Sequence, residues 1–257
     1  MKNNLSFGVI IALCSVYQLS GQTFEYKTHI HQNDTLLYRM LYPADFNPDR
    51  SYPMLLFLHG AGERGNDNEK QLTHGSKQFL TDSFRAEYPA LIVFPQCPTE
   101  DYWANVDIDR SNYPIKLDFK ENDSPTRAMA QVLSLLDSLV NLPFTKDDQI
   151  YLGGLSMGGM GTYELLSRRP STFAAAFAIC GGGYAGNASK YAQTAVWVFH
   201  GSNDNVVAPY HSTLMVGALQ QAGAEVRYNL YPHANHNSWD RAFAEPELFQ
   251  WLFDHKK

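Results

Sequence analysis

Apolar residues alternate with polar ones over residues 24–31 and 36–41, and Gln32-Asn33-Asp34 separates the two stretches, which predicts an antiparallel hairpin. Four compact runs follow that are apolar on both faces: 54–58 (MLLFL), 90–94 (ALIVF), 149–152 (QIYL) and 195–199 (AVWVF). Residues 173–179, of weaker β character, and 226–231 extend the series. Strands without alternation are what a parallel sheet covered by helices on both faces requires. Between them the period changes to that of a helix. Ser124 reads as an N-cap with Pro125 at the first position, and Met129, Val132, Leu133, Leu136, Leu139 and Val140 form one stripe. Residues 157–169, then 210–222 closed by Gly223, then 246–255 begun by Pro-Glu, give further helices. Strands and helices alternating with short polar turns specify an α/β fold with a mostly parallel central sheet.

Residues 99–123 break this rhythm. Glu100, Asp101, Asp107, Asp109, Asp118, Glu121 and Asp123 face only Arg110, Lys116 and Lys120 there, and Tyr102, Trp103, Tyr113 and Phe119 are interleaved. A long insertion at the edge of a sheet suits a functional loop better than a simple connection. It is expected to carry an acidic rim, with Trp103, and Trp239 further along, offering flat faces to a sugar or aryl ring.

The composition is that of a globular protein, with 44 % hydrophobic and 18 % charged residues in 257. A net charge of −6 supplies no footprint for nucleic acid or anionic lipid. Residues 1–22 stand apart: Lys2 precedes an apolar stretch at 5–16, and the small residues Ser20 and Gly21 follow. The stretch is shorter than the roughly 20 residues of a membrane span, so it reads as a secretory signal peptide, with Leu13 before Cys14 arguing against lipid attachment. Its removal leaves 19 bases against 26 acids. The expected mature domain is 23–257, secreted or periplasmic, with no stable membrane insertion. No zinc-type Cys/His spacing, HExxH or phosphate loop occurs, so neither metal nor cofactor is expected.

The chemistry gathers at Gly154-Leu155-Ser156-Met157-Gly158, a G-x-S-x-G motif between an apolar strand and a helix. A serine on so sharp a turn leaves no room for side chains two residues to either side, hence the glycines. The turn lifts the hydroxyl above the sheet edge, where the following helix points its free N–H groups. Such a serine needs a base, and the base needs a third group to set its tautomer. Asp204, just past the strand at 195–199, and His236, in the loop after the last strand, follow Ser156 in order, both at the carboxyl end of the sheet.

With this order of Ser156, Asp204 and His236, the chain resembles the α/β-hydrolase family over nearly all of 23–257. Leu58-His59-Gly60-Ala61-Gly62-Glu63-Arg64-Gly65, Pro95-Gln96-Cys97-Pro98 and His236-Asn237-Ser238-Trp239 resemble small secreted carboxylesterases, dienelactone-hydrolase-like and feruloyl-esterase-like proteins. The resemblance implies an oxyanion hole of the Ala61 and Met157 N–H groups, with Gly60 in reserve if the turn is registered one residue earlier. It also implies a sheet in which the strands ending at Cys97 and Cys180 are three steps apart, roughly 14 Å, so both thiols are expected free.

His233 competes with His236 for the base, but the resemblance places the base directly before a short polar-aromatic segment. Asp107 and Asp109 precede the nucleophile and read as solvated charges, and His59 and His200 as structural histidines. Gly181, Gly183 and Gly186 match the dinucleotide fingerprint, but too few residues follow for its helix. The expected activity is hydrolysis of a small-molecule or glycan ester, such as an acetylated or hydroxycinnamoylated sugar, through an acyl-enzyme. A prolyl-oligopeptidase-like serine peptidase and a hydrolase-like binding protein without turnover are the alternatives.

Overall fold

The computed structural model describes residues 23–121 and 124–257. The expected signal peptide, Cys14 within it, and Asp123 therefore lie outside the described residues.

Strands β1 (Glu25–His31) and β2 (Asp34–Leu41) form the expected hairpin. His31 pairs with Asp34, so the loop is two residues rather than three, and Gln32 and Asn33 supply the two positive φ angles, 50° and 65°, that such a turn needs. Then come β3 (Tyr52–Leu58), β4 (Leu91–Pro95), a separate hairpin of β5 (Val106–Asp109) and β6 (Lys116–Phe119), β7 (Thr145–Leu155), β8 (Ala175–Ile179), β9 (Ala195–Gly201) and β10 (Val226–Tyr231). The large sheet has the order β1-β2-β4-β3-β7-β8-β9-β10. Its first two pairings are antiparallel and the rest parallel. This is an α/β-hydrolase fold.

Alternation along the buried strands assigns each helix a face. Leu56, Leu58, Val93, Leu152, Ala178 and Val198 point into one core, against α2 (Arg127–Val140), α3 (Met157–Arg168) and α4 (Tyr210–Gln221). Leu55, Phe57, Phe94, Tyr151, Phe177 and Phe199 point into the other, against α1 (Asp82–Glu87), α5 (Trp239–Phe243) and α6 (Leu248–Asp254). Removal of this apolar surface from water is the main force holding the three layers together. Among the described residues no helix is long and apolar enough to cross a membrane.

Two local readings change. Helix α2 is capped by Thr126, whose hydroxyl accepts from Met129 N–H at 3.1 Å, rather than by Ser124. Asp101 of the insertion reaches the same end and accepts from Ala128 N–H at 2.6 Å, a carboxylate placed where the helix dipole favours it. Strand β7 runs from Thr145 to Leu155, on through Gly153 and Gly154 and beyond the expected run at 149–152. A Cβ at Gly153 would lie 2.3 Å from the Phe177 ring, so this glycine makes room for a neighbouring strand's side chain. Cys97 and Cys180 are buried and unpaired, with β3 and β7 between their strands.

Candidate active site

Ser156 stands between β7 and α3 with φ 53° and ψ −117°, a strained conformation for a residue with a side chain. The turn is held from below by close backbone contacts. A Cβ on Gly154 would come within 2.2 Å of the Gly158 carbonyl oxygen, and one on Gly158 within 1.8 Å of the Leu58 carbonyl oxygen. The Leu58 carbonyl belongs to the end of β3 and the Gly158 carbonyl to the first turn of α3, and neither can yield. Gly158→Ala is expected to cost more than about 3 kcal/mol of stability in urea unfolding, and an unchanged midpoint would show that the turn relaxes freely.

His236 Nε2 lies 2.9 Å from Ser156 Oγ, and its Nδ1 lies 2.7 Å from Asp204 Oδ2. The loop that carries His236 crosses the end of β9 at Gly201, where a Cβ would sit 2.4 Å from the carbonyl oxygens of Ala234 and Asn235. Trp239 presents its ring to the imidazole, with centroids 5.5 Å apart and planes at 86°. Asp204 is fully buried. Its Oδ1 accepts from the N–H groups of Val206 at 2.8 Å and Val207 at 3.0 Å, while Oδ2 also meets His200 Nε2 at 3.1 Å. Val207 O lies 3.0 Å from the same His200 nitrogen, and since both neighbours only accept, that nitrogen carries the hydrogen. Burial by itself would raise the Asp204 carboxyl, but hydrogen bonds from His200 and His236 outweigh it and hold the group well below the usual carboxylate range. Asp204 is thus an anion poised to orient His236.

Ala61 and Met157 each open a helical turn, Ala61–Glu63 and α3 respectively, so neither N–H has a partner within its own helix. Both residues lie beside Ser156, at the end of β3 and at the start of α3. Arg64 fixes the Ala61 turn: it donates through Nε to Ala61 O at 3.0 Å and through Nη1 to Thr99 O at 2.9 Å and Asp101 O at 3.2 Å. His59 anchors the same turn from the other side, where Cys97 N–H donates to its Nε2 at 2.9 Å. Arg64 stands within the Leu58–Gly65 segment, yet nothing in the sequence distinguishes this anchoring role from that of an ordinary surface arginine.

Gly60, Ala61, Gly62, Glu63, Ser156 and His236 line one cavity of about 240 Å³, completed by His74, Trp239, Leu155, Met160, Val206 and Val207, and by Tyr102, Arg110 and Ile115 from the insertion. Trp239 is where it was expected. Trp103 is not: it is fully buried, and its indole N–H donates to His59 O at 3.1 Å. The carbonyl at the end of β3 needs a donor, and the space over Gly161, where a Cβ would meet Trp103 at 2.6 Å, admits the ring. Tyr102, one residue earlier, faces the cavity instead.

Most of the acids expected to form a rim are engaged within the fold instead. Asp107 and Asp118 pair with Lys120, Glu121 with Lys190, Asp101 with the start of α2, and Asp109 accepts from Ser111 N–H. Of the described charged residues in the insertion, Arg110 is the one that lines the cavity. His233 is exposed in a turn, with φ 61°, and does not reach the site. His200 supports Asp204, while Cys180, at the end of β8, brings its sulfur within 4.8 Å of the ligating atoms of Asp204 and His236.

The phospholipase/carboxylesterase family pattern matches residues 47–249. Lysophospholipase-like protein 1 of Mus musculus is 30 % identical over 193 residues, 71 % of this chain and 79 % of that protein. The bifunctional acetylxylan esterase/xylanase XynS20E of Neocallimastix patriciarum is 30 % identical over 167 residues, 64 % of this chain but only 21 % of that protein. A thermostable esterase of known structure superposes with a TM-score of 0.82 at 32 % identity, covering 93 % of this chain, which in turn spans 64 % of the esterase.

Proposed function

The chain belongs to the phospholipase/carboxylesterase family and is an ester hydrolase; from that premise we propose a secreted or periplasmic serine esterase whose triad is Ser156, His236 and Asp204. The observation that carries this reading is the unbroken series of contacts from Ser156 Oγ through both nitrogens of His236 to Asp204. Ser156 Oγ attacks the ester carbonyl while His236 Nε2 takes its proton. The oxyanion settles on the Ala61 and Met157 N–H groups, and collapse returns the proton from His236 to the departing alcohol. Water then enters, loses a proton to His236 and attacks the acyl carbon, and His236 returns that proton to Ser156 Oγ as the acid leaves.

For the substrate we infer acetyl or hydroxycinnamoyl esters of carbohydrates. The relative that carries acetylxylan esterase in its name supports the first, and Trp239 and Tyr102 in the cavity wall, which give a sugar or aryl ring a face to stack on, support both. A panel of 4-nitrophenyl acetate, longer-chain and feruloyl esters, with peptide anilides beside them, tests this. Turnover of the anilides alone would replace the esterase with a peptidase, and turnover of nothing would leave a binding protein. Secretion is tested separately: the N-terminus of the exported protein should fall near Gln22 or Thr23.

His236 must be neutral to accept the proton. Burial by itself would lower its pKa, but the hydrogen bond to Asp204 and the sulfur of Cys180 beside the ring reverse the sign and raise it above the ordinary 6.5. The ascending limb of kcat/KM should therefore lie on the alkaline side of 6.5, with the rate still climbing through pH 7. A profile flat from pH 5 to 8 would count against a histidine base.

A further inference from the structure

Arg110 sits directly after β5, at the tip of the hairpin that the insertion forms, and it lines the same cavity as Ser156 and His236. Three observations set it apart from the other charges of the insertion. No carboxylate among the described residues forms an ion pair with it, although its neighbours Asp107, Asp109 and Asp118 are each engaged elsewhere. Burial raises the Tyr102 phenol, itself a cavity-lining group, and the nearby Arg110 charge offsets part of that rise, while the guanidinium carries five N–H donors. Glu63 is the acid that lines the cavity, and it is occupied with His74, 3.6 Å away, rather than with Arg110. The hairpin itself is held in place, since Ile115 N–H donates to Val206 O at 2.9 Å and the apolar side chains of β5 and β6 pack with Met160 and Val207.

A planar cation with five N–H donors, beside a tyrosine on the wall of a reaction cavity, matches a carboxylate, which accepts two parallel N–H···O bonds. We propose that Arg110 and Tyr102 form a carboxylate-binding subsite, so that the preferred ester carries an anionic carboxylate close to its scissile bond. On a carbohydrate such a group is a uronate. This deepens the esterase reading and rests on it, and it reverses the preference for neutral esters that the acidic composition of the insertion suggests.

Matched pairs of esters test the proposal and separate the two ends of the substrate. Mono-4-nitrophenyl glutarate against 4-nitrophenyl pentanoate places the charge on the acyl side, and 3-acetoxybenzoate against phenyl acetate places it on the alcohol side. In at least one pair, kcat/KM should favour the anionic ester by about tenfold at low salt, and the advantage should shrink as sodium chloride is added. In Arg110→Gln that ratio should fall to about one, and Arg110→Lys should restore part of it. Equal turnover within both pairs, or a ratio that Arg110→Gln leaves unchanged, would overturn the subsite while leaving the esterase intact. No hydrolysis of any of the four esters would overturn the esterase reading and the subsite with it.

Discussion

Ser156→Ala is expected to lower kcat for every ester this chain hydrolyses by on the order of 10⁶, because the covalent half-reaction disappears. The substitution is a clean probe here. Alanine keeps the Cβ, so the residue at φ 53° carries the same backbone strain, and Gly154 and Gly158 still meet the same carbonyls. Stability should therefore move by less than about 1 kcal/mol, and thermal unfolding checks that the loss is chemical. The Ala61 and Met157 N–H groups and the cavity remain, so a residual rate above the uncatalysed one should persist, as expected when an oxyanion hole and binding groups act without a nucleophile. A fluorophosphonate reagent should label the parent protein with a stoichiometry of about one and the variant not at all. A variant that kept more than about a hundredth of the parent rate would move the nucleophile elsewhere.

The parts of this site that were legible in the sequence are those in which local chemistry and chain order coincide. The turn at Gly154–Gly158 needs glycine at two places and serine between them whatever surrounds it, and an apolar strand before it with a helix after it completes the reading. Asp204 and His236 follow because parallel strands deliver their carboxyl ends to one edge. The hairpin at β1 and β2, and the buried strands β3, β4, β8 and β9, are legible through their periods of two and their two-sided apolarity. The insertion was not. Its acids counted together suggest a field, but Lys120 and Lys190 neutralise three of them and α2 takes a fourth, and such pairings depend on where the hairpin folds back. Trp103 and Tyr102 are adjacent and equally aromatic. Which one enters the core is decided by the His59 carbonyl and the gap over Gly161, neither of which the local sequence around them describes. The same blindness hides Arg64, whose role exists only once residues 61, 99 and 101 are brought together.

Asp204→Asn should cost about 10⁴ in kcat, nearly all of it through the tautomer of His236. The hydrogen bonds around Asp204 leave the amide little choice of orientation. Val206 and Val207 present backbone N–H groups to the Oδ1 position and cannot become acceptors, so the amide oxygen must go there. The NH₂ then takes the place of Oδ2 and points at His236 Nδ1, which in the parent carries the hydrogen. To accept from that NH₂, His236 must move its proton to Nε2, the atom that faces Ser156 Oγ at 2.9 Å and has to be bare to act as base. The same NH₂ confronts the Nε2–H of His200, which Val207 O holds in its present tautomer, so the pocket also loses stability. The raised pKa of His236 depends on the Asp204 charge, so the ascending limb of the pH profile should shift to lower pH in the variant even as the plateau collapses. A structural role alone would lower the unfolding temperature without moving that limb. If Asp204→Asn kept turnover within about tenfold of the parent while Asp107→Asn or Asp109→Asn lost it, the triad would have to be redrawn around the insertion.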